Sequence, residues 1–190
     1  MAEWSSAVSR HRRPGRYGAP GEAGVMLSEI APVAVVQFAA WPETLAQMGR
    51  VASEAAGVPA APGPGRARHA GVNTLLRVEP LKWWLVSRAP APGLPQVTSE
   101  VGAVLDLSHA RTLITVKGPR AEVLLAHVLP IDLRPDAFDG AAVASSAIHH
   151  IGVTLWRADD GFDLLVPRSF AATIWQLLDS VARQYGLEID

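Results

Sequence analysis

The stretch "VLDLSHARTLITVKGP", residues 104–119, joins a polar cluster to an apolar strand and the start of a helix. Asp106, Ser108 and His109 precede "RTLITVKG" (111–118), whose side chains alternate between two faces as they do on a β-strand. The Gly-Pro pair that ends the stretch is typical of the first turn of a helix. The stretch therefore predicts a strand followed by a helix, and it poses the question whether the polar cluster is catalytic.

Ser108 and His109 lack the arrangement of a nucleophile and its base. If these neighbours lie on a strand, their side chains point to opposite faces, so His109 does not reach the Ser108 proton. The chain contains no G-x-S-x-G motif. Asp106 and Ser108 are instead residue types that bond backbone N–H groups at the entry to a strand. We expect a structural role for the cluster.

The other polar clusters give no stronger candidate. His149 and His150 diverge if they lie on a strand, whereas zinc needs three or four converging ligands. We expect one of the two to pack or hydrogen-bond in the core and the other to point outward. Asp132, Asp136 and Asp139 fit a solvated loop better than an acid–base pair. Cysteine is absent, and no glycine-rich phosphate motif occurs. We therefore predict no catalytic, cofactor-binding or metal-binding residue in this chain.

The composition excludes several classes of protein. Hydrophobic residues make up 49% of the 190 and charged residues 18%, which is typical of a globular protein. The net charge of −1 gives no broad basic surface for nucleic acid. No apolar run approaches the roughly 20 residues of a membrane span, and the apolar region of a secretion signal is missing. We expect a cytoplasmic protein without nucleic-acid or membrane partners.

The chain is predicted to consist of an arm and one folded domain. Residues 1–24 combine arginine with Gly, Pro and Ser, which predicts a flexible basic arm, either a disordered terminus or a segment that becomes ordered on a partner. Its arginines are Arg10, Arg12, Arg13 and Arg16. Residues 25–190 are predicted to form a single α+β domain of two similar halves, about 32–87 and 104–190. A proline-rich linker joins the halves.

The first half is predicted to follow the order strand, helix, strand, strand. The predicted elements are a buried strand at 32–40, a helix from Pro42 to Ala56 stopped by Gly57, a mobile loop at 57–71, and two strands within 73–87 that turn near Glu79 and Pro80. Trp83 and Trp84 lie on these strands, and Trp156 and Trp175 lie on elements of the second half. Tryptophans are either core residues or interface residues, so some are expected to become buried only in a complex.

The second half is predicted to repeat this order and to add a closing helix. Its elements are a strand at 111–118, a helix that buries Val123, Leu124 and Val128, a strand at 147–159, a turn at 159–161 and a strand at 162–167. The closing helix is capped by Ser169 and ended by Gly186, and its apolar stripe contains Phe170, Ile174, Leu177, Leu178, Val181 and Tyr185. The fold predicted is therefore α+β, with two β-α-β-β (ferredoxin-like) modules packed together and a C-terminal amphipathic helix.

Several of these stretches resemble a known family. "DLSHARTLITVKGPRAEVLLAHVLPIDL" (106–133), "HIGVTLWRADDGFDLLVPRSF" (150–170), "GVMLSEI" (24–30) and the closing helix resemble the gamma subunit of heterotetrameric sarcosine oxidase. The resemblance covers nearly the whole chain and is tightest over 104–186. A broader resemblance is to the folate-binding aminomethyltransferase (T-protein) superfamily, in which a D-[LV]-S-H stretch also leads into a strand ending in Gly-Pro and then a helix. The resemblance implies the aminomethyltransferase folate-binding-like fold.

The chain departs from the aminomethyltransferase pattern at one position. That pattern places acidic residues in the strand after the helix, where an aspartate serves folate chemistry, whereas Gly152 and Val153 stand near that place in "HHIGVTLWR". Neither Gly nor Val can transfer a proton or orient an amine. One-carbon transfer by this chain alone is therefore not expected.

The resemblance to the gamma subunit implies a structural role in an oxidase complex. In such a complex the alpha subunit carries NAD and the folate site, the beta subunit carries the oxidising site with non-covalent FAD and covalent FMN, and the delta subunit holds zinc. The complex demethylates sarcosine to glycine, makes hydrogen peroxide and passes the carbon to tetrahydrofolate. This chain would hold the alpha and beta subunits in place. The alternatives are a subunit of a related N-methyl amino acid oxidase or dehydrogenase, and a stand-alone folate-binding aminomethyltransferase-like protein.

Overall fold

The structure is a computed structural model that describes residues 5–89, 93–158 and 160–190. Strands β1 to β12 are, in chain order, Gly15–Tyr17, Val25–Ile30, Ala34–Ala40, Ala67–Ala70, Asn73–Glu79, Lys82–Ser87, Gly102–Asp106, Arg111–Lys117, Val143–Ile148, Ile151–Ala158, Gly161–Pro167 and Leu187–Ile189. Helices α1, α2 and α3 are Leu45–Ala56, Ala121–Ala126 and Ala171–Ala182. Of the described residues, none lies in a helix long and apolar enough to cross a membrane.

The chain divides into two compact units, each with its own sheet. One unit comprises the described residues up to Ala31 together with Ala110–Gly140 and Ser145–Asp190, and the other comprises those of Pro32–His109 and Ala141–Ala144. The first unit holds a seven-stranded sheet in the order β1-β12-β2-β8-β11-β10-β9, and the second holds a five-stranded sheet in the order β4-β5-β6-β3-β7. The predicted α+β fold class is confirmed, although the two units do not coincide with the predicted halves.

The five-stranded sheet buries one face under α1. Val36 and Phe38 of β3, Leu85 of β6 and Leu75 of β5 point toward the helix, which contributes Met48 to the same cluster. Because α1 presents small and apolar residues about every four positions, one stripe of the helix meets the sheet. The core of this unit therefore lies between α1 and one sheet face.

The two sheets repeat the same connectivity. The sequence β3-α1-β4-β5-β6 gives the spatial order β4-β5-β6-β3, and the sequence β8-α2-β9-β10-β11 gives the order β9-β10-β11-β8. The strand that precedes each repeat lies in the other sheet, since β2 pairs with β8 and β7 pairs with β3. Each repeat therefore contains one strand more after its helix than the β-α-β-β module predicted.

Six strands were not predicted, among them β2 and β7, which precede the two repeats. The predicted loop at 57–71 contains β4, the stretch before His149 forms β9, and β12 follows the last helix and pairs in parallel with β2. The unpredicted strand β1 lies in the predicted arm 1–24 and pairs with β12. Short strands such as these are held by backbone hydrogen bonds to a neighbour, so their side chains need not alternate in polarity.

The described part of the predicted arm packs on its own chain. Val8 is fully buried, and the Ser6 hydroxyl and the Ala7 N–H donate to the carboxylate of Glu29. The Arg16 guanidinium lies 2.9 Å from the Glu188 carboxylate. Composition alone predicts a flexible segment here, because these contacts use hydrogen bonds and charges rather than a hydrophobic stripe.

Helix α2 buries a different stripe from the one predicted. Leu124 is buried as expected, but Val123 is 40% exposed and Val128 is only half-buried. The buried residues of the helix are Ala121, Leu124 and Leu125. These three have the i, i+3, i+4 spacing of one helical face, which leaves Val123 on the opposite side.

The start of the closing helix also differs from the prediction. Ser169 is not its cap, because Arg168–Phe170 form a 3₁₀ turn, α3 begins at Ala171 and no side-chain cap hydrogen bond is present there. Phe170 is 43% exposed, so it lies outside the buried stripe, whereas Trp175 belongs to it. A 3₁₀ turn satisfies the first backbone groups locally and shifts the helix start by a few residues.

The predicted end of the first helix is confirmed, whereas the last helix ends before the predicted glycine. Gly57 follows α1 with φ of +73°, and its N–H donates to the Glu54 carbonyl. Helix α3 ends at Ala182, and Gly186, which also has φ of +73°, instead follows the 3₁₀ turn Arg183–Tyr185. This left-handed conformation is the one that glycine adopts without a steric cost.

Candidate functional site

Asp106 and Ser108 form a local hydrogen-bonded turn after β7. The Ser108 hydroxyl donates to Asp106 Oδ1 at 2.6 Å, and the Ser108 N–H donates to the same oxygen at 2.8 Å. The Ser108 oxygen in turn accepts from the Val35 N–H of β3 at 3.0 Å. The predicted bonding of this cluster to nearby backbone groups is confirmed.

In this geometry the hydroxyl proton of Ser108 is donated to Asp106, and His109 takes no part in the hydrogen bonds of the cluster. The hydroxyl and N–H of Ser108 lower the pKa of the Asp106 carboxyl, and the charge of His109 adds a smaller effect in the same direction. His109 is exposed and lies in the turn that follows β7, not on a strand as the sequence argument assumed. Because the hydroxyl donates to a carboxylate, the serine is bound as a structural element rather than activated by an imidazole.

The His149–His150 pair is placed differently from the prediction. Both residues are exposed at the turn between β9 and β10, so neither packs in the core. His149 has φ of +53°, in the left-handed region. Since the two residues connect antiparallel strands, the tight turn forces this backbone conformation and interrupts the single strand predicted over 147–159.

The three loop carboxylates are solvated as predicted. Asp132, Asp136 and Asp139 are all exposed between α2 and β9. Asp132 accepts three hydrogen bonds from the guanidinium of Arg134, and these, with a smaller effect of the Arg134 N–H, lower the pKa of its carboxyl to about 2. Within 5–89, 93–158 and 160–190, no group of three or more His, Asp or Glu residues has the arrangement of a metal site.

The structure has a buried carboxylate that the sequence argument missed. Asp163 of β11 is 3% exposed and accepts from the hydroxyl of Thr115, which is fully buried on β8, at 3.0 Å. Asp163 also stands opposite Trp156 of β10 in the strand register. The only sequence signal was an acidic residue inside the apolar run "FDLLVP". By contrast, Gly152 on β10 is exposed and Val153 is buried.

Most of the tryptophans on predicted elements are core residues. Trp83, Trp156 and Trp175 are at most 2% exposed. The indole N–H of Trp83 donates to the Pro62 carbonyl at 3.2 Å. Trp84 is half-buried, and its indole N–H donates to the side-chain oxygen of Gln37 at 3.0 Å.

One face of the five-stranded sheet is only partly covered. Gln37 stands opposite both Trp84 and Leu105, so these three side chains share the sheet face that points away from α1. Ala39 continues the same face, and Trp41 follows it in extended conformation. Trp41 is 54% exposed and Leu105 is 48% exposed. We call these five residues the tryptophan face.

The tryptophan face has the composition of a protein contact surface. Exposed Trp and Leu side chains provide apolar area. The indole N–H groups already have acceptors within the chain, because Trp84 donates to the side chain of Gln37 and Trp41 donates to the Ser99 carbonyl at 2.8 Å. Interfaces select tryptophan because it provides a large and rigid contact area. Sequence reasoning anticipated tryptophans at an interface but did not single out Trp41, whose exposure depends on its position just beyond the end of β3.

Similar proteins are found by sequence. No family model matches the chain. Sarcosine oxidase subunit gamma from Corynebacterium sp. (strain U-96) is 28% identical over 175 residues, which cover 89% of this chain and 85% of the relative. The aminomethyltransferase of Herpetosiphon aurantiacus is 36% identical over 98 residues, which cover 50% of this chain but only 27% of that protein.

Solved structures give the same two groups. A chain of the heterotetrameric sarcosine oxidase from Corynebacterium sp. U-96, in complex with pyrrole 2-carboxylate, matches with a TM-score of 0.71 and 26% identity over 92% of this chain and 91% of that chain. Aminomethyltransferase T of the Bartonella henselae glycine cleavage system matches with a TM-score of 0.59 and 18% identity over 87% of this chain and 47% of that chain, which shows a shared fold. The resemblance predicted from the sequence is thus confirmed: the chain is similar over most of its length to a sarcosine oxidase gamma subunit, and it shares the fold of an aminomethyltransferase.

Proposed function

We propose that this chain is the gamma subunit of a heterotetrameric sarcosine oxidase. The observation that carries the proposal is the end-to-end match to a gamma subunit, which covers 89% of this chain and 85% of the relative. The similarity in three dimensions to a chain of a heterotetrameric oxidase is equally complete in coverage. A match that spans both proteins favours the same role more strongly than a match to one shared module.

The proposed complex oxidises sarcosine to glycine, forms hydrogen peroxide and transfers the one-carbon unit to tetrahydrofolate. Its NAD, FAD, FMN and zinc are held by the alpha, beta and delta subunits, with tetrahydrofolate as co-substrate. This distribution of cofactors follows from the family resemblance. Within this chain the chemistry-bearing side chains described above serve structure: Ser108 is bonded to Asp106 and Val35, and Asp132 is paired with Arg134.

The proposed role of the chain is assembly rather than catalysis. Two observations support it. The position at which the aminomethyltransferase pattern has acidic residues is occupied by Gly152 and Val153, which supply no proton-transfer group. The tryptophan face leaves apolar area exposed in the isolated chain, and burial of such area is a main driving force for association.

The rival function is a stand-alone folate-binding protein of the aminomethyltransferase type. It is favoured by the shared fold with aminomethyltransferase T. However, this chain spans about half of that solved chain and about a quarter of the curated relative. Calorimetric titration of the purified chain with tetrahydrofolate separates the two functions: we expect no binding heat, and stoichiometric binding would support the rival.

Deletion and complementation in the native cell test the assembly role. Without the gene for this chain, we expect sarcosine-dependent peroxide formation to disappear and the remaining subunits to migrate below the mass of the complex on size exclusion. Reintroduction of the gene should restore both. A complex of unchanged activity and mass in the deletion strain would contradict the proposal.

Parallel assays with other N-methyl amino acids identify the substrate and so distinguish a related oxidase or dehydrogenase.

A further inference from the structure

The two sheets differ at equivalent edges. Strand β2, which precedes the first repeat, pairs with β8 on one side and in parallel with β12 on the other. Strand β7, which precedes the second repeat, pairs with β3 on one side and is the last strand of its sheet. In the part of the chain that the structure describes, no strand pairs with the outer edge of β7. The repeat itself therefore shows that such a leading strand accepts a further strand.

The outer edge of β7 presents backbone groups at alternate residues. The Leu107 N–H donates to the Val35 carbonyl at 2.7 Å, so the Leu107 N–H points inward at a hydrogen-bonded position of the ladder. Because such positions alternate along an antiparallel ladder, Leu105 also bonds inward to β3, whereas Val104 and Asp106 direct their N–H and C=O groups outward. Two residues on this edge thus offer the groups with which an added strand would pair.

The side chains of β7 do little to protect this edge. Exposed edge strands usually carry lysine, proline or a bulge that prevents pairing with another chain. Strand β7 reads "GAVLD" and has no Lys, Arg or Pro, and the carboxylate of Asp106 accepts from Ser108. Its Leu105 belongs to the tryptophan face, so the open edge and the apolar surface are continuous.

We propose that the outer edge of β7 receives an extended segment of a partner subunit, whose side chains cover the tryptophan face. The segment would pair with β7 as β12 pairs with β2, and the main-chain bonds would add to burial of Leu105 and Trp41. This inference rests on the proposed function, since it takes the partner from the hetero-oligomeric assembly of the related oxidase. Beyond the proposed function, it identifies β7 as the docking strand and the addition of a strand to the sheet as the mode of recognition.

Amide hydrogen exchange tests this pairing directly. The free chain and the complex purified from the native cell by a tag on this chain are compared by mass spectrometry. We expect exchange of the peptide containing residues 102–106 to slow by at least about tenfold in the complex, because added strand hydrogen bonds must open before exchange. Peptides from α1 should exchange equally in both samples.

Lysine substitutions give a second measurement. Ala103 and Leu105 have exposed side chains, so the double substitution Ala103→Lys and Leu105→Lys leaves the core intact while placing charge on the docking edge. We expect recovery of the partner subunits to fall by about tenfold or more, as for loss of an interface hot spot. The matched control is Val72→Lys, which is 54% exposed next to β5 in the same unit and should assemble normally.

Each alternative outcome contradicts the inference. An intact complex in which residues 102–106 exchange as fast as in the free chain would overturn the docking site and leave the proposed function standing. Protection of these residues that appears in the free chain with rising concentration, together with a doubled mass, would show that a second copy occupies the edge. If the wild-type chain recovers no partner subunits, both the inference and the proposed function fail.

Discussion

Ser108 donates its hydroxyl to Asp106 across 2.6 Å and accepts the Val35 N–H at 3.0 Å, so one side chain links the end of β7 to the start of β3. The residues form a structural unit of the five-stranded sheet. They stand beside a histidine in sequence, but the hydroxyl proton is directed at the carboxylate.

Ser108→Ala should therefore reduce stability rather than activity. We expect a loss of about 1 kcal/mol in the free energy of unfolding, typical of a partly exposed hydrogen bond, measured by urea denaturation. His109→Ala, whose side chain is exposed, serves as the control and should leave stability unchanged. Turnover of the assembled complex should stay within several-fold of wild type for both variants. A loss of ~10² or more with assembly intact would identify a nucleophile or base instead.

Two buried threonines on β8 should respond differently to the same substitution, which should destabilise the chain only at Thr115. The Thr115 hydroxyl donates to the buried Asp163 at 3.0 Å, whereas the Thr112 hydroxyl has no hydrogen-bond partner in the described structure. Thr115→Val removes a donor from a buried carboxylate and should destabilise the chain by about 1–3 kcal/mol. Thr112→Val replaces an unsatisfied hydroxyl by a methyl group and should be neutral or stabilising. Equal effects of the two substitutions in thermal unfolding would contradict the assignment.

The N-terminal segment should contribute to stability despite its composition. Ser6 and Ala7 donate to the buried carboxylate of Glu29, whereas the exposed Ser9 makes only a 3.4 Å contact with the Ser6 carbonyl. We expect Ser6→Ala to lower the free energy of unfolding by about 1.5–3 kcal/mol, as for hydrogen bonds to charged groups. Ser9→Ala is the matched control and should have little effect. If both variants are as stable as wild type, the segment is the flexible arm that its composition indicates.

Asp132 should remain ionised to unusually low pH. Its carboxyl pKa is lowered from 3.8 to about 2, first by the side-chain hydrogen bonds from Arg134 and then by the Arg134 N–H. Because the folded pKa lies below the ordinary value, the ionised pair favours the folded state above that value, and this contribution is lost as the pH falls through about 2.

Carboxyl chemical shifts in an acid titration measure this effect. Arg134→Ala should raise the Asp132 midpoint toward the ordinary aspartate value, and added salt should weaken the shift in the wild type because the pair is exposed. Lys117→Ala removes a different ion pair, that of Lys117 with Asp160, and should leave the midpoint unchanged. A wild-type midpoint near that of an ordinary aspartate would show that Arg134 does not hold the carboxylate in solution.

Sequence patterns predicted the elements in which the order of apolar and polar side chains reflects which of them are buried. The apolar alternation of 111–118 and the run 162–167 correspond to β8 and β11, and the turn near Glu79 and Pro80 separates β5 from β6. The strands that were missed, such as β1 and β12, are three residues long and are defined by backbone pairing with a distant segment. No local pattern of side chains indicates which distant segment such a strand pairs with.

The same distinction applies to the polar contacts. Asp106 and Ser108 are two residues apart, so turn chemistry predicted their bond. Thr115 and Asp163 are 48 residues apart, and Ser6 and Glu29 are 23 apart, so only the folded chain brings them together. The exposure of Trp41 and Leu105 likewise follows from the strand order of the sheet, which composition does not specify.

Purification through a tag on this chain from its native cell tests the central claim most directly. The account predicts that three further chains co-purify in fixed proportion, that the native mass equals that of one copy of each, and that the complex forms hydrogen peroxide when sarcosine is added. The chain recovered alone, or in a complex without sarcosine-dependent oxidation of any kind, would contradict it.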